Sequence, residues 1–176
     1  MMQSNIRAVL AVVMAGVVLC VVSGCGMSES RKAEVVVLQK MQLGEFVDQA
    51  DAWGADIIAQ FPAEETQSVP SNAGGWRSAG AYYEEWPKYY VWDKIVTLQP
   101  DGPRTPVEFA EDLEPWLEEQ GWVKTRDDVL PGKGTVERGF SRGGYSLSVE
   151  AYTAVPPQAQ LVALMIVTPK TDPDPR

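Results

Sequence analysis

The sequence predicts an α+β domain, in which an antiparallel sheet of about five strands carries two amphipathic helices packed on one face. Three observations support this fold class: two segments with a three- and four-residue apolar period, a run of strand patterns after the second of them, and glycine or proline turns between those strands. The chain has 176 residues, which suits one domain, and we expect that domain over residues 35–168.

The first helix is predicted from a long amphipathic pattern that Pro62 ends, since the residue before a proline is disfavoured in the helical region. Residues 35–38 form either its first turns or a separate short strand, and we favour the helix. Gly44 and Gly54 each weaken it by up to about 1 kcal/mol, so it should depend on packing against the sheet. Its apolar stripe consists of Leu43, Phe46, Val47, Ala50, Trp53, Ile57, Ile58 and Phe61.

The second helix has clear terminal signals. Thr105 is a hydroxyl N-cap, Pro106 occupies the first helical position and Glu108 completes a capping box. Gly121 stands where a left-handed residue ends a helix, and Pro115 should kink the last turns. A strand over residues 89–98, rich in aromatic and β-branched residues, precedes this helix.

The last third of the chain predicts four strands. Residues 145–152 alternate apolar and polar positions, as in a strand with one wet face, and Gly143 and Gly144 join them to residues 135–141 in a tight hairpin. Residues 161–167 are an unbroken apolar run suited to a central strand, and residues 122–125 form a short further strand. Residues 169–176 contain three prolines and little to bury, which predicts a flexible tail.

Composition excludes several function classes. The chain has no histidine, so Ser-His-Asp and Cys-His nucleophile pairs and histidine-based zinc sites are impossible. With 15 basic and 24 acidic residues the net charge is -9, which argues against a nucleic-acid partner. No cofactor or metal site is predicted.

The N-terminus predicts export. Arg7 supplies a positive region, and residues 8–22 follow without a charge, too short for the ~20 residues of a membrane-spanning helix. The tetrapeptide Val22-Ser23-Gly24-Cys25 resembles the lipobox of bacterial lipoproteins. The resemblance implies that signal peptidase recognises Val22, Ser23 and Gly24, removes residues 1–24 and leaves Cys25 with a diacylglyceryl lipid on its thiol. Membrane lipid is then one partner, bound through acylated Cys25.

Processing changes the composition of the mature protein. Loss of Arg7 leaves 14 basic and 24 acidic residues, a net charge of -10. Cys20 is removed and Cys25 is lipidated, so no internal disulfide can form. We expect a lipidated tether over residues 25–34, whose residues 26–32 reach about 25 Å when extended. The localisation expected is therefore the extracytoplasmic face of the cell membrane. The overall layout also resembles small lipoproteins of high-GC Gram-positive bacteria, a resemblance that implies no activity.

One long segment, residues 62–87, lacks clear periodicity, and such connections are usually functional or disordered. Its candidate ligand-binding residues are Trp76, Arg77, Tyr82, Tyr83 and Trp86, since aromatic rings stack on sugars and anchor protein partners. The alternative is that these rings cap the core or that residues 81–86 form an edge strand.

The function expected from the sequence is therefore a non-catalytic binding or scaffolding module at the cell envelope, with an envelope protein or a glycan as partner. Two other classes stay open. A carboxylate-based hydrolase of envelope glycans would need two acids 5 to 10 Å apart in a cleft (roughly). A carrier of an apolar ligand would need a large apolar cavity between sheet and helices.

Overall fold

The computed structural model describes residues 27–70, 74–79, 85–130, 134–155 and 158–176. Its elements are two helices and seven strands, and the fold is α+β as predicted. In chain order they are α1 (Glu29–Ile58), β1 (Thr66–Ser68), β2 (Gly75–Ser78), β3 (Lys88–Leu98), α2 (Pro106–Glu119), β4 (Val123–Leu130), β5 (Thr135–Arg142), β6 (Tyr145–Tyr152) and β7 (Gln160–Val167).

All strands belong to one antiparallel sheet in the order β1-β3-β7-β6-β5-β4, with β2 also paired to β3. The expectation of about five strands was wrong, because β1 and β2 lie in the segment of residues 62–87. Each has only three or four residues, too few for a period-two pattern to show. The apolar run of β7 does occupy a central position, between β3 and β6.

Helix α1 continues through residues 35–38, so the helical alternative for that segment is confirmed. It begins at Glu29, inside the range predicted as a tether, because the Ser28 side chain accepts a hydrogen bond from the Arg31 N–H and caps the helix. Residues 29–34 are thus helical rather than an extended linker.

Helix α2 has the predicted ends. The Thr105 hydroxyl accepts from the Glu108 N–H, and the Glu108 carboxylate accepts from the Thr105 N–H, which completes the capping box. This bonding lowers the pKa of Glu108. At the other end Gly121 has a φ of 85°, and the Trp122 N–H donates to the Leu117 carbonyl, as in a Schellman motif.

The core lies between the two helices and one face of the sheet. Gly54 of α1 lies against the ring of Trp92 in β3, where a Cβ atom would clash with the indole. Phe61 stacks on Phe109 of α2 with ring centroids 4.0 Å apart. Side chains from both helices and from alternate positions of the central strands join into one buried cluster, whose fully covered members include Ala50, Ile57, Val96, Leu117, Phe140, Leu147, Val149, Val162 and Ile166.

Residues 169–176, predicted as a flexible tail, lie against α1 and the start of β3. Thr171 is 1% exposed, and its backbone N–H and hydroxyl bond the backbone of Lys88 at 2.8 and 3.0 Å. The backbone of Asp172 accepts from Gln39 and donates to Gln42 of α1, at 2.8 and 2.7 Å. We call residues 168–176 the C-terminal strap.

Candidate functional site

The face of the sheet opposite the helices carries a concave surface. Consecutive strand residues point to opposite faces, so the positions that alternate with the core residues share this side. We call it the open face. The pairing of the strands aligns its residues in rows, of which the central two are Arg126-Gly139-Ser148-Met165-Asp93 and Asp128-Glu137-Glu150-Ala163-Ile95.

Two adjoining cavities form a groove along these rows. The larger has a volume of about 520 Å³ and lies over β4, β5 and β6, and the smaller has about 230 Å³ and lies over β6, β7 and β3. Both are lined by Ser148 and Met165, so the groove is continuous across the centre of the sheet. The combined volume falls in the range of small-molecule sites, although both cavities are wide open to solvent.

Small residues form the floor of the groove. Gly139, Ser146 and Ser148 line the larger cavity, and Ala163 continues the floor into the smaller one. A Cβ atom at Gly139 would come within 3.1 Å of the Arg126 Cβ and the Thr125 hydroxyl, at the bulge of β4. Glycine at this position therefore lets the bulged strand lie close to β5, and the short side chains leave the space above the sheet empty.

Charged groups form one wall. Arg126 bridges two acids of the same face, Asp128 at 3.3 Å and Glu137. Ser148 donates to the Glu137 carboxylate at 3.3 Å, so the floor and the wall are hydrogen-bonded to each other. With Glu150 in the next strand this wall contains three acids around one arginine, and it carries a net negative charge.

The opposite wall is mainly aliphatic, and Asp93 and Lys94 also line the smaller cavity there. Ile95 and Met165 are 40% and 42% exposed, and both line the smaller cavity. The groove thus offers hydroxyl and carboxylate acceptors on one side and a mainly aliphatic surface on the other. A ligand with polar groups along one edge and an apolar face along the other matches this pattern, as sugars and extended peptides do.

Two of the residues predicted from the aromatic segment, Trp76 and Arg77, lie in β2. Trp76 pairs with Tyr90 and Arg77 with Tyr89, so their register positions belong to opposite faces of the sheet. Arg77 stands on the side of the open face, at its β2 margin, and is exposed.

Trp86 is half-buried, and the Nζ atom of Lys88 lies 5.0 Å from its ring centroid. Tyr82 and Tyr83 lie outside the described residues.

A second charged cluster lies on the helix side, between α2 and the strands β4 and β5. Lys124 bonds Glu114 at 3.0 Å and Asp127 at 2.6 Å, and the latter bond lowers the pKa of Asp127. Arg138 is 8% exposed at its side chain and lies 3.4 to 3.6 Å from Glu111, Glu114 and Asp127. Its Nε and Nη1 atoms make no hydrogen bond within the described structure.

Sequence reasoning did not predict the open-face groove or the Arg138 cluster. The polar positions of β6 predict a wet strand face, yet a sequence pattern cannot show that Ala163, Gly139 and Ser148 become neighbours. Within the described ranges, no set of three or more Asp, Glu, His or Cys residues is placed to hold a metal ion. No helix in the same ranges has the length and apolar character needed to cross a bilayer.

Comparison of the chain with protein-family models, with curated proteins and with solved structures finds no match. Its function must therefore be inferred from the chain's own residues.

Proposed function

We propose that the protein is a membrane-anchored lipoprotein of the extracytoplasmic face, and that its domain is a non-catalytic binding or scaffolding module. The groove of the open face is its binding surface. One observation supports this most directly: the helices cover one side of the sheet, whereas small residues on the other side leave a continuous groove between a charged and an aliphatic wall.

The anchor rests on the lipobox and on its position in the chain. Cys25 lies at the end of the uncharged segment and three residues before the N-cap of α1. Cys25→Ala should leave the protein as an unprocessed precursor or release it from the membrane fraction, as intact mass and fractionation would show. Unchanged mass and unchanged partitioning would refute lipidation.

The groove can be tested by blocking its floor. Ser148→Arg places a long side chain where both cavities meet, whereas Thr97→Arg adds the same side chain to the open face outside the residues that line them. We expect the soluble domain to capture an envelope glycan or protein saturably, Ser148→Arg to abolish capture and Thr97→Arg to retain it. Equal capture by both variants would contradict the groove.

The aromatic segment needs its own control. The double variant Trp76→Ala/Trp86→Ala should bind as the wild type does if the groove is the binding surface. Loss of binding in this variant alone would move the site to the segment of residues 62–87.

A carboxylate-based hydrolase is the second candidate, because Glu137 and Glu150 are directly paired across β5 and β6 on the open face. Cβ atoms of such pairs lie about 5 Å apart, and retaining glycosidases hold their carboxyl groups at a similar separation. Glu137, however, is already bound by Arg126 and Ser148. Hydrolysis of purified envelope glycans that Glu150→Gln abolishes would favour this candidate over simple binding.

Carriage of an apolar ligand between sheet and helices has less support. That space is filled by the core cluster, and Trp92 packs directly against Gly54 within it. Absence of a bound lipid in native mass spectra of the purified domain would agree with this packing.

A further inference from the structure

The first half of α1 exposes apolar side chains on the face that points away from the sheet. Val37 and Met41 are 56% and 61% exposed, although valine and methionine are residues that proteins usually bury. They stand four residues apart on one helix face, and exposed Ala33 precedes them at the same spacing. We call these three residues the outer stripe.

The outer stripe lies close to the proposed lipid attachment point, and its role at the membrane rests on that part of the proposed function. Helix α1 begins at Glu29, and three peptide units separate Cys25 from Ser28. Three units of extended chain span at most about 11 Å. The first turns of α1 must therefore lie near the bilayer surface in the anchored protein.

The direction of this helix face is fixed by the C-terminal strap. Arg31 contacts Asp174 at 3.2 Å, while Gln39 and Gln42 bond the backbone of Asp172. Val35 and Gln39 are buried on the side of α1 opposite to the outer stripe. A rotation of the helix that hid the stripe would break these bonds, so the stripe faces outwards.

Charge distinguishes this part of the surface from the rest. Residues 29–44 carry three basic and two acidic side chains, a net charge of +1, whereas residues 45–176 carry 11 basic and 22 acidic, a net charge of -11. Glu34 lies at the margin of the outer face and is paired with Arg31 at 3.2 Å. Further acids lie on this face at Glu45 and Asp48. An anionic membrane would tolerate the first four turns of α1 and repel the rest of the domain.

We propose that the outer stripe lies on the bilayer surface beside the lipid anchor. Val37 and Met41 enter the interfacial region, as the apolar face of a surface helix does, while Lys40 reaches lipid phosphates from one flank. The sheet lies on the side of α1 opposite the outer stripe, and the open face is the far side of the sheet. In this orientation the groove faces away from the membrane.

The test uses the full, lipidated chain reconstituted into vesicles of phosphatidylglycerol and phosphatidylethanolamine with brominated acyl chains. An environment-sensitive fluorophore is attached at Met41→Cys. The matched control is Ala55→Cys, because Ala55 is exposed and lies 18 residues, or about five turns, after Val37 on the same helix face. Flotation and intact mass report the anchor independently of the fluorophore.

We expect a blue-shifted emission and several-fold stronger quenching at position 41 than at position 55. Val37→Glu in the Met41→Cys chain should reduce quenching to the level of the control, and it should not unfold the protein because Val37 is exposed.

Equal quenching at both positions in a lipidated, floating protein would refute the contact of the outer stripe with the bilayer and would leave the proposed anchor unaffected. A chain that carries no lipid and does not float would refute both the proposed anchor and the contact of the outer stripe with the bilayer. A label at position 41 that is shielded from aqueous quenchers in native membranes, yet unquenched in these vesicles, would show that a protein or a second copy covers the stripe, and it would also overturn the proposal.

Discussion

Two glycines in one helix should respond in opposite directions to the same substitution. Gly44 and Gly54 both lie inside α1, where glycine costs about 1 kcal/mol relative to alanine. A Cβ atom at Gly44 would meet nothing within 4 Å, whereas at Gly54 it would clash with three ring atoms of Trp92. Helix propensity therefore determines the effect of alanine at Gly44, whereas packing against Trp92 determines its effect at Gly54.

The magnitudes follow from these surroundings. Gly44→Ala should raise the free energy of unfolding by about 1 kcal/mol, because alanine favours the helix and restricts the unfolded chain. At Gly54 the same gain is opposed by overpacking, which typically costs 1 to 3 kcal/mol (roughly). The clash involves a rigid indole in the core cluster, so we take the upper end and expect a net loss of about 2 kcal/mol.

Urea unfolding of a soluble chain that starts at Met27, followed by fluorescence and circular dichroism, measures both changes. Trp92→Leu provides the third side of a double-mutant cycle, since leucine removes the ring that alanine would meet. In that background Gly54→Ala should no longer destabilise the protein. Equal effects of the two alanines, or a loss at Gly54 that persists beside Leu at position 92, would refute the reasoning.

Three further predictions concern other parts of the fold. Thr105→Ala should lower the free energy of unfolding by about 1 kcal/mol and Thr105→Ser should not, because only alanine removes the N-cap acceptor; equal losses in urea titrations would contradict this. Arg138→Met should change the free energy of unfolding by less than about 1 kcal/mol, because it removes a buried cation with two unbonded nitrogens while Lys124 still pairs the nearby acids. A decrease of more than about 3 kcal/mol would show that the cluster depends on the guanidinium. Burial and the hydrogen bond to Asp51 raise the pKa of Tyr90 to about 12, so the folded state holds this proton more tightly than the unfolded state does. The free energy of unfolding should therefore fall as the pH rises from 10 towards 12. Tyr90→Phe should remove part of that fall, and an unchanged pH profile in this variant would argue against the prediction.

Local signals in the sequence predicted the parts of the fold that local chemistry determines. The capping box at Thr105 and the glycine at position 121 set the ends of α2, and the Gly143-Gly144 hairpin has the positive φ angles that such a turn requires. The apolar run of β7 indicated its central place in the sheet. In each case the signal and the structure it specifies lie within a few residues of each other.

Features made by distant residues could not be predicted in this way. Strands β1 and β2 are too short to show a period, and they exist because β3 offers them a partner. The strap gave only a proline-rich, polar signal, yet Thr171 is buried through bonds to Lys88, 83 residues earlier. The groove is likewise formed where the small residues of three strands align.

The strap also determines how the protein responds to attachment at its two ends. The carbonyl of Pro175 accepts a hydrogen bond from Arg31 at 3.1 Å, so the chain leaves the domain beside the first turns of α1, where it enters. A reporter fused after Arg176 would start at the same end of the domain as the proposed lipid anchor. Force applied between the two ends would load the contact of strap and helix before it reached the sheet, so the strands could keep their alignment while the ends separate.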